Sequence, residues 1–144
     1  MRGDHIYVHR LGGLYSHHGV DCGGDEVIHL TAAGPGLPSV RSISRAEFAE
    51  GAQLNVRDYA KFFAAESPGD RAIDVSPDAV VARARSRLGQ IGFDLWLNNC
   101  EHFATWCRTG IASSTQIDAL WRMSLGPVGY FWHKAGAAMT KALD

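Results

Sequence analysis

The first third of the chain alternates between apolar and polar residues with the period of two that is typical of β-strands. Residues 5–10 form one such segment, which ends at a Gly-Gly pair. Residues 17–22 and 26–30 form two more, and the Gly-Gly-Asp run between them predicts a hairpin turn. Residues 34–39 are rich in glycine and proline, which predicts an exposed loop, and residues 53–57 favour a further strand. The pattern therefore predicts a small antiparallel sheet.

Helical signals begin after this sheet. Residues 44–47 have the serine and glutamate spacing of a capping box, which predicts a short helix that ends at Gly51. A longer helix is predicted to begin at Ser76-Pro77 and to end by Gly89, because serine is a good N-cap and proline suits the first helical position.

A third helix is predicted to begin at the asparagine pair before Cys100 and to end at Gly110. Phe103, Ala104 and Cys107 recur on one face of it at helical spacing, so this face is expected to be buried. Residues 58–65 are ambiguous between helix and loop. Together these elements predict an α+β fold, a small antiparallel sheet packed against helices, with the last helix beside the hairpin strands.

The composition is that of an ordinary globular domain. The 144 residues suit about one domain, and the formal net charge of −1 gives no electrostatic case for binding nucleic acid. The chain has three cysteines, none in a CxxC pair, which argues against a disulfide framework and a structural zinc site. No metal or cofactor is implied. The first residues lack the apolar run of a signal peptide, so we expect a cytoplasmic, reducing location.

Cys100 is the candidate nucleophile. It falls in the first turn of a predicted helix, where unpaired backbone N–H groups and the helix dipole stabilise a thiolate. Cys22 within a strand and Cys107 within a helix suit small buried hydrophobic residues instead. From its position alone, a buried core cysteine remains the alternative for Cys100.

A thiol nucleophile also needs a base and a group that orients the base. Of the seven histidines, His17 and His29 lie on the two strands of the predicted hairpin. They would face the same side of the sheet if the hairpin carries an extra residue or a bulge. His18 is expected on the opposite face, because successive side chains alternate along a strand. Each histidine by itself also suits a structural role.

Four stretches of the sequence resemble the lecithin:retinol acyltransferase-like domain family, which includes the HRAS-like suppressor phospholipase/acyltransferases. They are GDHIYVHR at residues 3–10, YSHHGV at 15–20, VIHL at 27–30 and NCEHF at 99–103, the last being the complete family signature. The two histidines also have the family spacing of twelve positions. The resemblance covers roughly residues 3–117. It implies a permuted papain-like fold of the NlpC-like group.

The resemblance implies a role for each candidate residue. Cys100 matches the nucleophile and His17 the histidine that accepts its proton. His29 matches the second histidine, which stands where papain-like enzymes usually have an asparagine or aspartate. The implied activity is that of a cysteine-dependent acyltransferase or phospholipase, which forms a thioester from a phospholipid or other acyl-lipid substrate. Transfer to water would make the enzyme a hydrolase, and transfer to an amine or alcohol an acyltransferase.

The other signature residues, Asn99, Glu101 and His102, are expected to be structural or to support the catalytic residues. Phe93 is a departure from the family pattern, since many members have a tyrosine seven residues before the cysteine. A phenylalanine has no hydroxyl to help bind an oxyanion. Backbone N–H groups near Cys100 would then supply more of this stabilisation, at about 3 kcal/mol for one donor.

Residues 1–117 are expected to form the catalytic domain, and residues 118–144 an apolar C-terminal helical tail. Charged residues and a Gly-Pro pair interrupt residues 119–143, so a membrane-spanning helix is not predicted. Aromatic residues interspersed with Lys and Arg suit peripheral contact with a bilayer. Docking of the tail on the domain core or on a second subunit is the alternative, and the sequence does not determine the oligomeric state.

Two other functions stay open at this point. The first is a thiol amidase or peptidase, because the wider fold group includes cell-wall peptidases. The second is an interaction module without catalytic activity, although all three catalytic positions are filled. An apolar groove beside Cys100 would favour a lipid substrate, and a cleft lined with charged groups would favour a peptide.

Overall fold

The computed structural model describes residues 1–32, 37–64, 73–91 and 100–111. They contain a five-stranded antiparallel sheet with helices packed on it, which confirms the α+β class. The strands are β1 His5–Arg10, β2 Tyr15–Gly23, β3 Glu26–Thr31, β4 Ser39–Ser44 and β5 Asn55–Val56. The helices are α1 Arg45–Ala49, α2 Ala60–Ala64, α3 Pro77–Ser86 and α4 Cys100–Thr109, and a 3-10 turn at Leu11–Gly13 joins β1 to β2.

The strand order is β4-β3-β2-β1-β5, so the predicted hairpin β2–β3 lies inside the sheet. Strand β4 is not predicted by the sequence pattern, and the predicted loop over residues 34–39 is wrong at Ser39, where this strand begins. Serine-rich sequence is a weak strand signal, and pairing with β3 over six positions supplies the stabilisation that propensity lacks. The ambiguous segment 58–65 contains α2.

A β-bulge in the β2–β3 hairpin determines which way His29 faces. Gly19 pairs with His29, and the register shifts after Asp21, which leaves Cys22 as the extra residue. Because side chains alternate, a register moved by one residue would put His29 on the opposite face from His17. The bulge that the sequence required for a histidine pair is therefore confirmed.

The sheet has two buried faces. On the first, which we call the helix face, α3 and α4 pack over the sheet, and its core contains Val20, Ile28, Leu30, Val40, Val80, Val81, Ala84, Phe103, Ala104 and Cys107. The prediction that Phe103, Ala104 and Cys107 share a buried helix face is confirmed. On the second, which we call the histidine face, α1 covers the sheet through a smaller core of Ile6, Val8, Val27 and Phe48.

Several predictions concern residues outside the described segments. They are the start of the last helix at the asparagine pair, the expected roles of Phe93 and Asn99, and the tail of residues 118–144. The division into two regions and the permuted papain-like relationship stay predictions. Within the described segments, no helix has both the length and the apolar character needed to cross a bilayer.

Candidate active site

His17 and His29 form a direct hydrogen bond. Nε2 of His17 lies 2.7 Å from Nδ1 of His29, and the two rings are nearly perpendicular, at 85°. His29 is buried at 6% exposure, and His17 is half-buried. The bulge places both side chains on the histidine face, so this contact depends directly on the hairpin geometry.

Phe48 supports both imidazole rings, and sequence analysis missed it. Its ring centroid lies 5.2 Å from that of His17 and 5.7 Å from that of His29. A Cβ atom at Gly19 would lie 3.0 Å from the Phe48 ring, so glycine leaves the space that this ring fills. The sequence signal was a lone aromatic residue in the capped helix α1, whose other residues are small or polar.

Arg10 of β1 holds α1 in place beneath the histidines. Its guanidinium donates hydrogen bonds of 2.7 Å and 2.8 Å to the carbonyl oxygens of Phe48 and Ala49, at the end of α1. Cations favour helix C-termini, where backbone carbonyls lack partners within the helix. Arg10 therefore fixes the backbone that carries Phe48.

Cys100 is the first described residue of α4 and is 1% exposed. Its Sγ lies 4.0 Å from the carbonyl oxygen of Ser16, the residue before His17 on β2. Cys100 packs among the side chains of the helix face, whereas the ring of His17 lies on the histidine face. The thiol thus lies beside the Ser16–His17 peptide at the start of β2. It does not lie on the same face of the sheet as the His17 ring.

The residues that follow His17 and Cys100 in the sequence make contacts elsewhere. His18 points to the helix face and hydrogen-bonds His5 at 2.8 Å, which confirms that it faces away from His17. Glu101 is buried and forms an ion pair of 3.2 Å with Arg57. His102 is half-buried on α4. Among the described residues, no cluster of three or more His, Cys, Asp or Glu side chains could hold a metal ion.

Comparison with known proteins assigns this architecture to a family. The family model described as lecithin retinol acyltransferase matches residues 1–113, which include every described strand and helix. The chain belongs to this family. Protein LEAD-SENSITIVE 1 of Arabidopsis thaliana is 30% identical over 148 residues, an alignment that covers 76% of this chain and 57% of that protein. The chain therefore spans little more than half the length of this curated relative.

In this member of the lecithin retinol acyltransferase family, both histidines of the pair resist protonation. Burial lowers the pKa of His17 to about 3, and positive charge on His29, His18 or Arg10 would oppose its protonation further. Burial likewise lowers the pKa of His29 to about 4, with Arg41 adding to the effect. Both rings are therefore neutral at neutral pH, and a neutral imidazole can accept a proton from a thiol.

The hydrogen bond between the histidines restricts their tautomers. If Nδ1 of His17 is to accept a proton, the ring proton must be on Nε2, from which it donates to Nδ1 of His29. His29 then carries its own proton on Nε2. In this arrangement His29 orients His17 without adding the negative charge of an aspartate.

The free energy of unfolding should decrease as the pH falls from about 6.5 toward about 4. Unfolded histidines bind protons below about pH 6.5, whereas His17 and His29 in the folded chain do so only near their lowered pKa values of about 3 and about 4. The unfolded state then binds more protons, at a cost of up to about 1.4 kcal/mol per pH unit for each histidine. Urea unfolding followed by circular dichroism between pH 7 and pH 5 measures this slope.

The variant His29→Gln should reduce this slope, because it removes one of the two buried neutral histidines. A free energy of unfolding that stays constant from pH 7 to pH 5 in the wild type would contradict the burial of neutral histidines.

Proposed function

We propose that this chain is a cysteine-dependent acyl-transfer enzyme, which forms a thioester on Cys100 from a lipid ester and passes the acyl group to water, an amine or an alcohol. The observation that carries the proposal is the hydrogen bond of 2.7 Å between His17 and His29, together with a Cys100 thiol that lies 4.0 Å from the carbonyl oxygen of Ser16, the residue before His17. A nucleophile, a base and a group that orients the base are the parts that this chemistry needs.

The first step is attack by the thiol. The Cys100 side chain, which lies beside the Ser16 carbonyl, turns around the start of β2 to reach Nδ1 of His17, which takes the thiol proton while the sulfur forms a bond to the ester carbonyl carbon. The helix dipole and the backbone N–H groups at the start of α4 stabilise the developing thiolate. Because the pKa of His17 is lowered to about 3, the resting enzyme holds a neutral imidazole. The histidine therefore acts as a general base during the attack and not as one half of a permanent ion pair.

The second step is loss of the alcohol. The tetrahedral intermediate collapses, its carbon–oxygen bond breaks, and the proton on His17 Nδ1 passes to the leaving oxygen. The thioester on Cys100 is then attacked by water, an amine or an alcohol, again with His17 as the base, and the thiol re-forms. Since Phe93 lacks a hydroxyl, the oxyanion is stabilised mainly by backbone N–H groups near Cys100.

The apolar surroundings of Cys100 support a lipid as the acyl donor. The side chains that cluster with it on the helix face include Val20, Phe103 and Ala104. The turn that leads into β2 exposes two leucines, with Leu11 64% and Leu14 57% exposed. Exposed leucines beside the start of β2 suit contact with acyl chains better than with a charged peptide.

The wild-type chain should release fatty acid and lysophospholipid from a short-chain phosphatidylcholine held below its micelle concentration. Liquid chromatography with mass spectrometry detects both products, and a peptide amide assayed in parallel should stay intact. The expectation follows from the apolar surroundings of the thiol. Cleavage of the peptide amide, with the phospholipid unchanged, would contradict the lipid proposal and favour the amidase alternative.

A further inference from the structure

A row of four buried polar side chains, joined by hydrogen bonds, lies on the helix face. His18 Nδ1 lies 2.8 Å from His5 Nε2, and His5 Nδ1 lies 2.7 Å from the hydroxyl of Tyr59. That hydroxyl in turn lies 3.3 Å from Oγ1 of Thr105 on α4. None of the four side chains is more than 4% exposed. This row of side chains thus connects His18, the residue after His17, to α4, the helix that carries Cys100.

An ion pair makes a second connection between the same two regions. Arg57 lies 3.2 Å from Glu101, the residue after Cys100. Arg57 and Tyr59 are two residues apart between β5 and α2, and the side chains of both reach α4, Arg57 at Glu101 and Tyr59 at Thr105. Glu101 and Thr105 are one turn apart, so they share a face of α4. Two neighbouring side chains of one segment therefore contact two neighbouring positions on the helix.

The segment that carries these contacts is itself attached to β1. Strand β5 pairs with β1, and the backbone N–H of Arg57 donates a hydrogen bond of 2.8 Å to the carbonyl of His5. One turn further along α4, the guanidinium of Arg108 lies 5.6 Å from the centre of the Tyr59 ring. The segment between β5 and α2 is therefore attached to the sheet through β1 and to α4 at successive turns of that helix.

The protons in this row of side chains have one consistent order. The Tyr59 hydroxyl donates to Oγ1 of Thr105, so it accepts from Nδ1–H of His5, and Nε2 of His5 then accepts from Nδ1–H of His18. Burial lowers the pKa of His5 well below its ordinary value and raises that of Tyr59, so both groups stay neutral. Hydrogen bonds are directional, whereas apolar packing is not. This row of side chains therefore fixes the position of α4 relative to β1 and β2 and does not only hold them together.

We propose that Arg57 and Tyr59, acting through Glu101 and Thr105, are positioning residues that hold the first turn of α4 at the start of β2, where Cys100 can reach His17. His5 and His18 extend this connection to the strand that carries the base. The inference rests on the proposed function only in taking His17 as the base of Cys100, and it does not depend on the acyl donor.

The test is the rate at which iodoacetamide alkylates Cys100, measured by peptide mass spectrometry. In this reaction the sulfur displaces iodide, and the thiol proton passes to His17. The variant Tyr59→Phe removes the hydroxyl alone, and a misplacement of about 1 Å can cost on the order of 100-fold in rate. We expect a decrease of tenfold to a hundredfold on that basis. The variant Tyr7→Phe is the matched control, since its ring can still stack on His18, and it should react like the wild type.

A double-mutant cycle separates positioning from a general loss of stability. In the His17→Gln background, Tyr59→Phe should slow alkylation no further, because the base that the thiol must reach is gone. Effects that multiply, or a wild-type rate in Tyr59→Phe, would overturn the proposal. If Tyr59→Phe fails to fold, Thr105→Val removes the other end of the same contact and takes its place. An unchanged rate in His17→Gln would overturn the base assignment as well, whereas phospholipid cleavage is measured independently.

Discussion

Replacement of Cys100 by alanine should reduce cleavage of phosphatidylcholine by at least about 10⁴-fold, which is the order of loss when the nucleophile of such a catalytic group is removed. No other described thiol can take its place. Burial raises the pKa of Cys22 to about 11 and also raises that of Cys107, so neither forms a thiolate readily. The measurement is kcat/KM for fatty acid release, with circular dichroism to confirm the fold.

Cys107→Ala is the matched control for this change. Cys107 is a buried thiol on the same helix, seven positions after Cys100 and within the same core. The control should keep kcat/KM within a few-fold of the wild type, since it removes one small buried side chain. Activity that survives in Cys100→Ala, or disappears in Cys107→Ala with the fold intact, would contradict the assignment of the nucleophile.

Replacement of His17 by glutamine should reduce kcat for the same reaction by about 10²-fold to 10⁴-fold, the usual contribution of a general base. Glutamine has a similar size and can still hydrogen-bond His29, but it cannot take the thiol proton. Because the proposed mechanism gives His17 a role in proton transfer and not in substrate binding, KM should change little. Initial rates over a range of phosphatidylcholine concentrations separate the two constants.

The variant His9→Gln controls for loss of a histidine from this sheet. His9 is exposed and lies on the neighbouring strand β1, so its replacement should leave kcat unchanged. A kcat for His17→Gln within threefold of the wild type would remove His17 from the mechanism. An equal loss in His9→Gln would show that the sheet, and not the base, had been damaged.

The sequence predicts the parts of this fold that depend on local signals. The hairpin turn, the capping box of α1 and the serine-proline start of α3 are each determined by a few adjacent residues, and all three are present. The family assignment from four short stretches is confirmed as well, since the family model matches residues 1–113. Strand β4 could not be predicted, because its stabilisation comes from pairing with β3 and not from its own residues.

The candidate site, like the fold, could be predicted only where adjacent residues determine the structure. The sequence requires a bulge for His17 and His29 to meet but does not say where it lies, and the pairing of β2 with β3 places it at Cys22. Phe48 and Tyr59 are far from the family signature in the sequence. They reach the site only because α1 and the segment before α2 fold back on opposite faces of the sheet. Contacts of this kind depend on tertiary packing, which no local sequence pattern predicts.

Intact-protein mass spectrometry after incubation with a short-chain phosphatidylcholine tests the central claim most directly. The wild-type chain should gain the mass of one acyl chain, neutral hydroxylamine should remove it, and Cys100→Ala should gain nothing. That result would place a thioester on Cys100. An acyl adduct of equal yield in Cys100→Ala, or fatty acid release with no adduct under conditions that trap one, would contradict the proposed thiol mechanism.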